Sequence, residues 1–190
     1  MLLLRTPNPD AVRRFLSEQA DQPFSYSDPG ASQHGHLPGY AVDHNMIELG
    51  RGADTFTRAI EALRRWEMFN LGWVRLYWPE APVAVGTVVA VLARHLGFYS
   101  LNASRVVYLV DDERPFRRYG FAYGTLPDHA EKGEERFTVE WRTDDSVWYD
   151  ILAYSRPNQL HARVGYPMTR LLQKRFAEDS KRAMKKAVLA

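Results

Sequence analysis

The sequence predicts an α+β fold: a curved antiparallel sheet of about six to seven strands wrapped around a long C-terminal helix. Three observations carry that prediction. Residues 83–155 are a nearly continuous series of segments rich in β-branched and aromatic residues. The links between them are a few residues long, whereas parallel crossovers need a dozen or more. Beyond Gly165-Tyr166-Pro167, apolar residues recur at helical spacing to about Val188. An apolar sheet face and an apolar helix stripe each need a partner, and each supplies the other's. Long sheets curl, and a helix across the concave side leaves space of the kind that commonly hosts ligands.

The elements follow in order. Asn8-Pro9-Asp10 before Val12, Phe15 and Leu16 predicts a short helix with proline in its first turn. Residues 21–40 read as a loop that packs aromatics onto the body, and residues 1–40 as an N-terminal extension to a single domain over 41–190. Residues 42–49 predict a strand, ended by Gly50-Arg51-Gly52. A helix is predicted from Asp54, a good N-cap, to about Asn70, with Phe56, Ile60, Leu63, Trp66 and Phe69 at helical spacing. Val74, Leu76 and Trp78 alternate in a short strand stopped by Pro79. Strands are then predicted over 83–93, 104–111, 117–125, 134–142 and 146–155, with residues 96–101 ambiguous. Turns are expected at Asp111-Asp112-Glu113, Pro127-Asp128 and Thr143-Asp144-Asp145. In the last helix, Met168, Leu171, Leu172, Phe176, Asp179, Ala183 and Ala187 are read as one broad face that thins to alanine.

Composition removes several classes. Hydrophobic residues at 45% and aromatics at 13% suit a globular core. No apolar run approaches the roughly 20 residues that span a bilayer, and a cytoplasmic location is expected. Without cysteine there is no disulfide, no thiolate nucleophile and no Cys-based metal site. The net charge of +2 hides a local +5 over residues 170–186. One basic helix on a mildly acidic body gives no footprint for nucleic-acid binding, and a solvated face is the expected role of Lys181, Arg182, Lys185 and Lys186.

Residues 120–137 are the most informative stretch. Phe121, Tyr123 and Phe137 are wrong for a plain surface loop, and Glu134, Glu135 and Arg136 are wrong for a plain core strand. On one strand the two glutamates face opposite sides, so Glu135 shares its face with Phe137, Val139 and Trp141. If that face is concave, Glu135 is a carboxylate in an apolar pocket whose pKa rises unless Arg136, Arg156 or another cation offsets it. A surface ion pair, or a structural bond to a tyrosine or backbone amide, is the reading expected ahead of a general acid or base. Tyr149 and Tyr154 take opposite faces of the last strand, and the Thr143–Ser146 turn permits two registers that would swap them. His129 is expected to be exposed by its turn. Gly50-x-Gly52 lacks the third glycine of a dinucleotide loop and reads as a tight strand–helix turn. His34-x-His36 with His44 offers no closed ligand set, so no metal is expected, and no cofactor. Nucleophile-elbow, P-loop, zinc-protease and kinase signatures are absent.

Taken together, Gly50-x-Gly52-Ala53, Gly72-Trp73, the block from Gly120 to Phe137 and Ser155-Arg156-Pro157 resemble a bacterial and plant family, domain of unknown function nineteen-ninety. That family in turn resembles the START-like helix-grip superfamily of lipid, steroid and polyketide-intermediate binders. The resemblance implies a small apolar or lipid-like ligand between sheet and C-terminal helix, and it carries over no catalytic residue. The expected ligand-binding group is Tyr123, Glu135, Trp141, Tyr149, Tyr154 and Arg156. A binding protein is expected ahead of a cyclase, dehydratase or isomerase that uses a buried carboxylate, and ahead of an interaction protein that uses the basic helix.

Overall fold

The computed structural model describes residues 1–35, 38–158 and 166–190. The strands are β1 Leu2–Leu3, β2 Ala41–Arg51, β3 Val74–Tyr77, β4 Val88–His95, β5 Phe98–Asp112, β6 Arg117–Thr125, β7 Glu131–Trp141 and β8 Ser146–Pro157. The helices are α1 Pro9–Ala20, α2 Gly52–Arg64 and α3 Tyr166–Leu189. Short 3-10 turns cover Ala31–His34 and Glu67–Phe69.

The strands make one antiparallel sheet in the order β2-β8-β7-β6-β5-β4-β3, and β1 pairs with the start of β5. Helices α2 and α3 cover one face of it. Their apolar side meets Val106, Phe121, Phe137, Val139 and Ile151 from the strands. This is the predicted α+β architecture, a curved sheet closed by a C-terminal helix. A second cluster joins Val12 and Phe15 of α1 to Tyr77, Leu92, Leu101 and Leu126. Asn8 caps α1, its side-chain oxygen accepting from the Ala11 N–H.

Some boundaries differ from the sequence expectation for physical reasons. Helix α2 begins at Gly52 with Arg51 at its N-cap, so Asp54 lies inside the first turn instead of capping it. It ends at Arg64 and not near Asn70. Trp66 adopts a left-handed backbone (φ 57°) and buries its ring against Phe121 at 4.8 Å, its indole N–H donating to the Ala81 carbonyl. That reversal carries Met68 and Phe69 into the core. The ambiguous residues 96–101 are the tip and start of the β4–β5 hairpin.

The buried face of α3 runs through Ala177, Ser180, Met184 and Val188. The sequence reading placed it one position away and expected only alanine late in the helix. Ser180 misleads that reading. It is fully buried because its hydroxyl bonds Tyr149 Oη at 2.9 Å. Of the histidines read as possible ligands, His36 lies outside the described residues, as does Gly165 before α3.

Candidate functional site

A cavity of about 1210 Å³ lies between the concave sheet face and α3. Phe69, Trp73, Ile151, Ala153, Phe176 and Ala177 give its wall an apolar character. Strand alternation fixes which residues of β6, β7 and β8 reach it. Tyr123 pairs with Glu135, Glu135 with Ala153, and Phe137 with Ile151, so all share one face. The β7–β8 turn closes with Arg142 and Ser146 bonded through their backbones, and Asp145 is in the left-handed region. This selects the register in which Val139 opposes Tyr149.

Tyr123 and Glu135 form the polar centre. The phenol donates to Glu135 Oε2 at 2.7 Å. Burial pushes the Glu135 carboxyl up to about 7; the Tyr123 bond opposes the rise, and the Glu131 and Asp43 carboxylates add to it. Glu131, two alternation steps back along β7, joins the same wall. Burial also raises its carboxyl to about 7, against a hydrogen bond from Gln173 and the charge of Arg170. Gln173 Nε2 donates to Glu131 Oε2 at 2.6 Å and to Ser155 Oγ at 2.9 Å. Arg170 grips Asp43 with both terminal nitrogens. Both carboxyls are thus raised toward neutrality, and among the described residues Glu131, Glu135 and Asp43 outnumber the Arg170 guanidinium.

The other expected residues are dispersed. Tyr149 is fully buried on the same side of the sheet and tied to Ser180, behind the wall. Trp141 packs on Phe56 and donates to Asp145 Oδ1, away from the cavity. Tyr154 borders the cavity, while alternation puts it opposite Glu134 on the convex face. Arg156, on that face too, stacks over Tyr40 at 4.6 Å. His129 is half-buried at the cavity wall instead of exposed. Its Nδ1 accepts from the Glu131 N–H, and burial lowers the imidazole to about 4.

Glu134 has a separate task. On the convex side it accepts from the Tyr26 hydroxyl at 2.8 Å, from the Gly30 and Ser32 N–H groups and from the Ser32 hydroxyl. It thereby pins the loop before β2 to the sheet. Gly124 permits this approach, because a Cβ there would lie 2.0 Å from Tyr26 Oη.

Residues 25–183 match the family described as domain of unknown function, DUF1990. The chain belongs to this family. Its DUF1990 relatives include a UPF0548 protein of Dictyostelium discoideum, 35% identical and covering 99% of this chain and 96% of that one. Another, from Deinococcus radiodurans, is 36% identical over 98% of each. Among solved structures, human STARD10 matches with a TM-score of 0.48 and 14% identity, covering 97% of this chain and 81% of that one. Among the described residues, no helix is long and apolar enough to cross a membrane.

Glu131, Asp43, Arg170 and Gln173 were not expected at the site. Glu131 had a legible signal, since residues 131, 133 and 135 of one strand share a face. Gly133 hid it by making the strand look as if it began at Glu134.

Proposed function

We propose that this protein binds a small apolar molecule between the concave sheet face and α3, with Tyr123 and Glu135 orienting it. The observation that carries this reading is the cavity itself. At about 1210 Å³ it exceeds the roughly 300–1,000 Å³ of ordinary ligand pockets. Its wall is mainly apolar with a few convergent polar groups, as such pockets usually are.

The test fills the space from within. Ala153 stands beside Glu135 on the wall. Nile red, a neutral apolar dye, is expected to bind the wild-type chain saturably at one site, with blue-shifted emission. Ala153→Phe is expected to weaken that binding at least tenfold while leaving the far-ultraviolet circular dichroism unchanged. No saturable binding, or equal binding by the variant, would contradict the proposal.

A second reading has its own observation. A carboxyl near neutrality bonded to a phenol suits general acid–base work, as in a cyclase, dehydratase or isomerase. A bound compound recovered chemically unchanged after long incubation with the wild-type chain argues against it.

A further inference from the structure

Among the described residues, the charged side chains that strand alternation turns into the cavity from β2 and β7 are acidic. Glu131 and Glu135 face it from β7, and Asp43 stands across from Ala153 on the neighbouring β2–β8 pair. One guanidinium, that of Arg170, is set against these three carboxylates, and both of its terminal nitrogens are engaged by Asp43. Gln173 satisfies one oxygen of Glu131. The other, Oε1, is buried with no hydrogen-bond partner among the described residues. Buried polar atoms of this kind are rare and call for an explanation. Glu135 receives the Tyr123 phenol on Oε2.

Among the described residues the cations that border the cavity are engaged or turned elsewhere: the Met1 ammonium donates to the Leu101 and Asp128 carbonyls beside His129, and Lys132 and Lys174 reach the rim from outward-facing positions. Tyr123 and Tyr149 are held neutral by burial, and so is His129. Lys132 alternates to the opposite face of β7, where it opposes Arg156. Lys174 lies on the exposed side of α3.

We propose that the molecule bound in this cavity carries a protonated amine at one end of an apolar body, with the ammonium seated between Glu131 and Glu135. This rests on the reading that the cavity takes an apolar ligand, and it names the head group that ligand bears. An ammonium offers three donors and accepts none. It can donate to the open oxygen of Glu131 and to the carboxylate of Glu135 along the same wall, directly or through water, with charge-assisted hydrogen bonds that are the strong ones. A hydroxyl satisfies one of them without charge, and a carboxylate adds a third like charge beside two. Burial raises the carboxyls of Glu131 and Glu135 to about 7. A cation favours their ionised forms, so binding expels protons and tightens as pH rises from about 6 to 8.

Three probes of equal chain length separate the possibilities: octylamine, octanol and octanoate, each titrated calorimetrically into the full chain at pH 7.5. Octylamine is expected to bind at least tenfold more tightly than octanol, and octanoate most weakly. Repeating the octylamine titration in buffers of different ionisation enthalpy is expected to show net proton release. In Glu131→Gln/Glu135→Gln, octylamine is expected to fall to the affinity of octanol. The wild-type comparison needs no variant to be decisive. Octanol binding as tightly as octylamine overturns the amine head while leaving the apolar site in place. Octanoate binding most tightly does the same. If none of the three binds, both readings fall.

Discussion

Glu134 is 2% exposed and its oxygens are saturated by Tyr26, Gly30 and Ser32, whereas Glu135 spends one hydrogen bond on Tyr123 and faces a cavity. A one-residue step along a strand separates a structural carboxylate from a chemically available one. The available pair makes stability depend on pH in a direction that can be worked out. Glu131 and Glu135 have folded-state values raised to about 7, above the 4.5 of a free glutamate. Between those limits the folded chain binds more protons than the unfolded one, so stability falls as pH rises. His129 acts oppositely: its imidazole is lowered to about 4, and its contribution is lost as pH falls from 6.5 through 4. From pH 5 to pH 8 the glutamates dominate, each by on the order of 2 kcal/mol after allowance for water in the cavity. Urea unfolding at pH 5 and pH 8 is expected to show a net loss in the wild type, reduced by His129, and in Glu131→Gln/Glu135→Gln no loss but the opposite, His129-driven rise toward pH 8. Parallel profiles would remove the raised carboxyls from the site.

At the scale of elements, β7 decides what the site contains. It begins at Glu131 and passes through Gly133, whose backbone lies at φ +144° and whose missing Cβ would sit 1.8 Å from the Tyr154 carbonyl oxygen. Only glycine keeps β7 and β8 paired there, and that pairing brings Glu131 and Glu135 onto one wall. Gly133→Ala is expected to cost at least about 3 kcal/mol, from backbone strain and loss of ladder contacts. A fall in Tm of several degrees or more would show it, and an unchanged Tm would mean that the strand start is not held as described. The same glycine limited what the sequence disclosed. The alternation of Tyr123, Glu135 and Phe137 was readable, because it depends only on period two. Glu131 obeys the same period, but its signal was masked, because glycine interrupts a strand pattern without ending the strand. Ser180 worked similarly in α3, where a polar residue sits in the buried stripe because Tyr149 satisfies it. The break of α2 at Trp66 was hidden because helical spacing continues through residues that tertiary packing turns aside.

At the scale of the molecule, the order of elements and the antiparallel sheet were legible, since short links and segment patterns are local signals. The cavity was not. Its volume depends on sheet curvature, on the chosen register and on how far α3 stands from β8, and none of these is a property of one segment. In the basic helix Arg182, Lys185 and Lys186 are exposed as composition suggested, whereas the Lys181 side chain is only 13% exposed and bonds Glu178; Arg175 and Arg182 pair with Asp179 within the helix itself. What distinguishes the molecule is a cavity between sheet and α3 with acidic residues on its wall. The most direct test is native mass spectrometry of the 21.9 kDa chain after incubation with a total small-molecule extract and gentle desalting. The wild type is expected to retain a discrete added mass that Ala153→Phe does not retain. The bare chain mass in both, or the same added mass in both, would contradict a ligand held between the sheet and α3.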